Sequence, residues 1–214
     1  MLGGCAANRN GSRRAEESQH RQTRAKAILC VRGGELLWAA IGTSGRYRFQ
    51  FLKEGLASAK SGQRLAIVLD IDETALSNWA VELHDDFGYV PADSNSCIVF
   101  RCGKAIPSTL RIFREAIKDK VAVFFIIGRP EGQRGDTAAN LKTEGYDGWE
   151  GLYLRPEDHP KDQTVSQYKS GDRAKIVALG YRIILNVGDQ MSDLSGEPQA
   201  EHSVKLPNPF YFIP

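Results

Sequence analysis

The stretch Leu65-Ala66-Ile67-Val68-Leu69-Asp70-Ile71-Asp72-Glu73-Thr74 decides the fold. Its first half is a continuous apolar run with no polar alternation, as expected of a strand buried on both faces of a parallel sheet. Its second half turns abruptly acidic. Side chains two apart in extended chain point to the same side, so Asp70 and Asp72 can converge on one ligand at the strand's carboxyl end. Two adjacent carboxylates repel each other, and a cation beside them relieves that cost. Hard oxygen ligands suit Mg²⁺, which commonly takes one or two carboxylates together with water and substrate phosphate. On spacing alone, the alternative is an acidic turn that caps a helix from Thr74 onward.

Further along, the same pattern recurs. Val121-Ala122-Val123-Phe124-Phe125-Ile126-Ile127 and Ile183-Ile184-Leu185-Asn186-Val187 predict two more buried strands. Gly151-Leu152-Tyr153-Leu154 predicts a weaker one, and Ser203-Val204-Lys205-Leu206 an edge strand. Helical patterns lie between them. Ser108–Lys118 puts Leu110, Phe113 and Ile117 on one face, with Pro107 suited to the helix start. Thr137–Glu144 and Ser170–Leu179 are each followed by a glycine, Gly145 and Gly180, as expected of helix stops. A further helix is predicted over Ser44–Lys60, before the first strand. Such alternation implies an α/β fold, a parallel sheet with helices on both faces. Ligands of these folds bind at the carboxyl ends of the strands, so the chemistry is expected just after each apolar run.

Each of the three long runs is followed by side chains suited to such chemistry. After the second comes Gly128-Arg129-Pro130-Glu131. Gly128 permits close approach of backbone to a ligand, and Arg129 is suited either to phosphate oxygens or to a structural pair with a carboxylate. The third run leads into Gly188-Asp189-Gln190-Met191-Ser192-Asp193, a second acidic pair at a strand end, and Asp189 could complete a metal site begun by Asp70. Lys169 stands just before a predicted helix. A lysine there can neutralise phosphate or hold an aspartate ionised, although a lone lysine is most often a solvated surface charge.

Composition sets the outer bounds. The 214 residues are 42% hydrophobic and 25% charged, enough to build one globular domain with a sizeable core. A formal net charge of only +2 gives no reason to expect a nucleic-acid partner. No apolar run approaches the ~18 residues that suggest a membrane span. Met1 to Gln22 is polar and basic, with Arg9, Arg13, Arg14 and Arg21, and reads as a disordered tail ahead of a domain over 23–214. The cysteines, Cys5, Cys30, Cys97 and Cys102, include no CxxC pair, so a zinc site has little support. Cys97 and Cys102 share one segment and either pair in an oxidising compartment or stay as thiols.

The ordered stations together resemble the haloacid dehalogenase superfamily of phosphatases. Asp70-Ile71-Asp72-Glu73-Thr74 resembles its DxDxT motif, Lys169 its third motif and Gly188–Asp193 its GDxxxD motif. A closer resemblance, to the class B/C acid phosphatases, is carried by the stretch from Val68 to Trp79, by Gly128-Arg129-Pro130-Glu131, by Asn140-Leu141 with Gly145-Tyr146, by Tyr168-Lys169, by Asn186–Gln190, and by Leu206-Pro207-Asn208-Pro209-Phe210-Tyr211. That group includes plant acid phosphatases, vegetative storage proteins and bacterial outer-membrane acid phosphatases. The resemblance covers roughly Ser44 to Pro214. It implies a three-layer Rossmann-like sheet and hydrolysis of small phosphomonoesters. In that scheme Asp70 is the nucleophile and Asp72 the general acid/base. Lys169 is the third catalytic group, and Gly128 and Arg129 bind substrate. Mg²⁺ is held by Asp70, the backbone carbonyl of Asp72, and Asp189, with Asp193 supporting the metal shell or Lys169. It also implies a periplasmic, outer-membrane-associated or secreted protein. Leu2-Gly3-Gly4-Cys5 resembles a bacterial lipoprotein cleavage box, but lacks the apolar stretch expected before one.

One departure stands out. The family's second motif places Thr or Ser where this chain has Ile127. Isoleucine cannot donate a hydroxyl hydrogen bond to phosphate, and losing a charge-assisted bond of that kind costs about 1.5–3 kcal/mol. The alternative reading is therefore a catalytically weakened or inactive phosphate- or metal-binding relative, of the storage type. Val81 to Ala105 forms a small cap-like insertion whose His84, Asp85, Asp86, Phe87 and Tyr89 could shape substrate access; His84 is expected at the surface rather than in catalysis. Neither the physiological substrate nor the oligomeric state is encoded in any motif.

Overall fold

The computed structural model describes residues 47–213. The predicted tail over Met1–Gln22, Cys5 and Cys30 lie outside the described residues, as does the start of the helix predicted from Ser44. The described chain opens on helix α1, 47–57. Five parallel strands follow along the chain: β1 (Arg64–Leu69), β4 (Ala122–Pro130), β5 (Gly151–Arg155), β6 (Tyr181–Gly188) and β7 (His202–Lys205), arranged in the order β5-β4-β1-β6-β7. The expected strands are all present, and the segment predicted as an edge strand does pair at the sheet edge.

Strand β1 shows why the apolar run has no polar alternation. Leu65, Ile67 and Leu69 face a core built with Leu52 of α1, with Ile112, Phe113 and Ala116 of α4 (Pro107–Lys118), and with Leu141 of α5 (Arg134–Thr143). Ala66 and Val68 face the opposite side, against Tyr168 and Ile176 of α6 (Val165–Ala178). Both faces are covered, so both must be apolar. Burying a side chain of this size is worth ~1.5–3 kcal/mol. Strand β6 shifts register between Ala66 and Ile67 of its neighbour: Ile183 pairs beside Ala66 and Leu185 beside Ile67. Ile184 is the extra residue of that bulge and packs with Leu52 in the first core.

Two helix boundaries differ from expectation. Helix α6 begins at Val165 rather than Ser170, because Thr164 and Gln167 form a capping box: the Gln167 N–H donates to Thr164 Oγ1 at 3.2 Å and the Thr164 N–H to Gln167 Oε1 at 2.9 Å. Lys169 is therefore inside the helix, not before it. Helix α5 likewise starts at Arg134, directly from a short 3₁₀ turn over Glu131–Gln133. Gly145 and Gly180 follow their helices with positive φ, as the stop signals require.

Between β1 and α4 lies a small excursion. The two-residue strand β2 (Leu76–Ser77) pairs antiparallel with β3 (Lys104–Ala105) and closes its base. Helices α2 (Trp79–His84) and α3 (Pro91–Val99) fill it. Cys97 and Cys102 are joined by a disulfide across the end of α3. Trp79 and Phe87 pack with Phe210 from the carboxyl-terminal segment, each pair of ring centroids 5.9 Å apart.

Candidate active site

The strand order places a crevice at one spot. From β1 the chain winds outward through β4 and β5, then returns to β6 on the other side of β1. The carboxyl end of β1 is thus a topological switch point, where ligands of such sheets bind. Asp70 follows β1 directly, and its N–H extends the ladder to Val187 O at 2.9 Å. Asp189 follows β6, and Gly128 and Arg129 lie near the end of β4.

The chain after Asp70 wraps round one carbonyl. The N–H groups of Thr74, Ala75 and Leu76 all donate to Ile71 O, and Glu73 takes a positive φ of 54° within this turn. Tyr146 Oη and the Ile106 N–H both donate to Ala75 O, at 2.8 and 2.9 Å, tying the turn to the core. That turn fixes Asp72. Asn78 Nδ2 donates to Asp72 Oδ1 at 2.8 Å, Arg129 Nε donates to Asp72 Oδ2 at 3.1 Å, and Arg129 Nη2 also bonds Oδ1. Of the two roles open to Arg129, the carboxylate pair is the one this geometry contains, and Nη1 is further held by Thr137 Oγ1 at 3.1 Å. Burial alone would raise the Asp72 carboxyl, but the Arg129 charge and the bonds from Arg129 and Asn78 hold it below the usual range.

Lys169 reaches the same end of the sheet from the first turns of α6. Its ammonium donates to Asp70 Oδ1 at 2.7 Å and to Asp193 Oδ1. Both acids and the lysine are buried. Asp193 is also held through Oδ2, which accepts the Gln190 N–H at 2.8 Å. Gly188 is what lets Asp193 in: a Cβ at 188 would stand 2.3 Å from the Asp193 side chain. Asp189 accepts from Gln190 Nε2 and Asn208 Nδ2, each at 2.6 Å, and from Thr74 Oγ1 at 3.3 Å. Ligand oxygens of Asp70, Asp189 and Asp193 all lie within 4.8 Å of one another.

The electrostatics of this group are unbalanced. Burial pushes the Asp70 carboxyl well above its ordinary range, with Asp193 and Asp189 adding to the push and Lys169 opposing it. Asp189 is raised by burial and by Asp193. Glu73, buried and accepting the Asn78 N–H at 2.6 Å, is also raised by burial. For Lys169, burial would lower the ammonium, but the two carboxylates outweigh it and keep it charged. The Tyr211 phenol is raised by burial and then by Asp189, Asp72, Glu73 and Asp70, so it stays protonated. Five carboxyl groups, Asp70, Asp72, Glu73, Asp189 and Asp193, thus share the site with two cations, Lys169 and Arg129. An excess of buried oxygen ligands with clustered lone pairs fits a hard divalent cation, whose ligand distances of about 2.1–2.5 Å span such a group.

The residues singled out in the sequence therefore come together, with one exception in manner. Ile127 is buried in the core with Val123 and Phe125, while its backbone carbonyl accepts from Tyr168 Oη at 3.2 Å. His84 is exposed and groups with Asp85 and Asp93 rather than with Asp70. Asn78, Thr137, Asn208 and Tyr211 carry no motif role in the sequence, although all four fall within stretches quoted above. No helix among the described residues is long and apolar enough to cross a membrane.

Comparison with known proteins recovers the same parallel α/β fold. The chain belongs to the HAD superfamily, subfamily IIIB (acid phosphatase), whose profile matches residues 47–214. Acid phosphatase 1 of Solanum lycopersicum is 37% identical over 155 residues, covering 68% of this chain and 58% of the relative. The stem 28 kDa glycoprotein of Glycine max is 34% identical, covering 68% of this chain and 59% of its own length. The chain thus spans about six-tenths of these relatives. Among solved structures, the class C acid phosphatase of Bacillus anthracis with tungstate bound superposes with a TM-score of 0.72 at 22% identity, over 90% of this chain and 86% of that one. At that identity the likeness speaks to the fold.

Proposed function

We propose that the protein is a Mg²⁺-dependent acid phosphatase acting on small phosphomonoesters. The observation that carries this reading is the bond from the buried Lys169 ammonium to Asp70, with Asp189 and Asp193 facing the same point. Asp70 is the nucleophile: a carboxylate oxygen forms a bond to phosphorus as the ester P–O bond breaks. Asp72 donates its proton to the departing alcohol oxygen. It then takes a proton from water, which attacks phosphorus and releases inorganic phosphate and the free Asp70 carboxylate. Lys169 neutralises the transferring group and, together with the bound cation, would offset the burial that otherwise favours the protonated form of Asp70. Gly128, where a Cβ would meet nothing within 4 Å, offers backbone to the phosphate, and Arg129 flanks it while holding Asp72. Asp70, the Asp72 carbonyl and Asp189 would hold Mg²⁺, with Asp193 in support; the bound cation supplies charge neutralisation at the phosphoryl oxygens. The test is phosphate release from an aryl phosphate at mildly acidic pH, with Mg²⁺ and after chelation. Release that survives chelation unchanged would remove the metal from the account.

A second reading is favoured by Ile127, whose apolar side chain occupies the family's hydroxyl position and is buried in the core. In it, the protein binds phosphate or metal with little or no turnover. Calorimetry showing Mg²⁺ or phosphate binding, with no hydrolysis across a panel of phosphomonoesters, would decide for it.

A further inference from the structure

The geometry points to Arg173 as a positioning residue that sets the place of Asp193, and through it Lys169 and the metal ligands. This assignment rests on the metal-dependent reading above. Arg173 is fully buried on α6, one helical turn beyond Lys169. Its guanidinium is spent on one short segment. Nη1 donates to Asp193 O at 2.7 Å, Nη2 to Gly196 O at 2.8 Å and to Ser195 O, and Nε to Pro198 O at 2.9 Å. Asn186 Nδ2 adds a second donor to Asp193 O at 2.9 Å.

Helix α6 therefore grips Asp193 twice. Lys169 bonds its carboxylate and Arg173 its backbone carbonyl. Helix residues four apart lie on one face, so the two cations present a fixed spacing to the acid. A fork of N–H donors can meet several carbonyls at once, whereas an ammonium is a point charge. Without that fork, the segment from Asp193 to Pro198 loses four buried donors, and Asp193 no longer holds Lys169 against Asp70. Groups that orient metal ligands from behind are worth about 10- to 100-fold in metal affinity or activity.

The test titrates Mg²⁺ into the full chain without substrate by calorimetry, and separately measures kcat and KM. Wild type is compared with Arg173→Lys and Arg173→Ala. Arg182→Ala, which breaks an exposed cluster with Glu201 at the opposite end of β6, is the control for general loss of an arginine. The expected result is Mg²⁺ affinity about 10- to 100-fold weaker in Arg173→Lys, with kcat reduced, KM little changed and affinity intact in Arg182→Ala. Arg173→Lys is the deciding variant should Arg173→Ala fail to fold. A folded Arg173→Lys that binds Mg²⁺ and turns over like wild type overturns the assignment alone. Wild type that binds no Mg²⁺ overturns the metal reading, and the assignment with it.

Discussion

Arg129 and Asp72 stand 57 positions apart in the chain, yet the guanidinium of one closes on both carboxylate oxygens of the other. This pairing keeps Asp72 deprotonated to lower pH than an isolated aspartate. The general-acid role proposed for Asp72 needs the proton back. Both statements hold if the enzyme works best in acid, where Asp72 is protonated despite its partner. Replacing Arg129 by Gln removes the opposite charge, and the Asp72 carboxyl rises. The alkaline limb of the kcat profile should then move upward by about one pH unit or more. An unmoved limb in a folded Arg129→Gln variant would show that Asp72 does not govern it.

Ile127→Thr tests what the missing hydroxyl costs. A hydroxyl at that site regains a bond to charged phosphate, and kcat/KM should rise about tenfold or more. The same change removes apolar volume from a buried site and introduces a polar atom, so thermal stability should fall by about 1–3 kcal/mol. Parallel kinetics and melting curves read both. A variant that loses stability without gaining rate would mean the backbone alone already supplies the phosphate contact.

The metal-free protein should be more stable in mild acid than at neutrality. Asp70, Glu73 and Asp189 are raised in the folded state by burial. Between the unfolded and folded values, the native state holds protons that the unfolded chain has released, so stability falls as pH rises through that window. Chelated protein should therefore melt higher at about pH 5 than at about pH 7. On the proposed reading Mg²⁺ binds the ionised carboxylates, so its stabilising effect should be larger at the higher pH. Melting temperatures measured with chelator and with Mg²⁺ at both values check the sign; a metal-free protein that melts higher at neutrality contradicts it.

The Cys97–Cys102 disulfide closes a loop with a sequence separation of only 5. Chain-entropy arguments give a loop so short about 2 kcal/mol. Reduction, or Cys97→Ser with Cys102→Ser, should lower the melting temperature modestly. Amide exchange should speed up in α3 and its flanks and stay unchanged in the central strands. Global acceleration would show that the excursion over 79–105 braces the sheet.

Much of this site was legible because its chemistry sits at strand ends. Asp70, Gly128 and Asp189 each follow an apolar run, and such runs announce themselves in sequence. Lys169 was legible by its place in the order of motifs, but its helix was not: Thr164 and Gln167 start α6 earlier than the apolar spacing alone suggested. The partners of these groups were hidden for a different reason. Thr137 reaches Arg129, and Asn208 reaches Asp189, only because separate elements pack together. Arg173 looks like an ordinary helix arginine until the fold lays the segment after Asp193 against it. Local pattern carries no record of such contacts. The alternative left open by sequence for the cysteine pair was likewise decided by packing, and packing also revealed the Arg129 bond to Asp72.

The most direct measurement compares phosphate release by wild type and Asp70→Asn, side by side, with Mg²⁺ present. The substitution keeps the shape of the side chain and removes the charged nucleophile. The account predicts Mg²⁺-dependent turnover in wild type and its loss, by about a thousandfold or more, in a folded Asp70→Asn protein. Equal turnover in the two would contradict it.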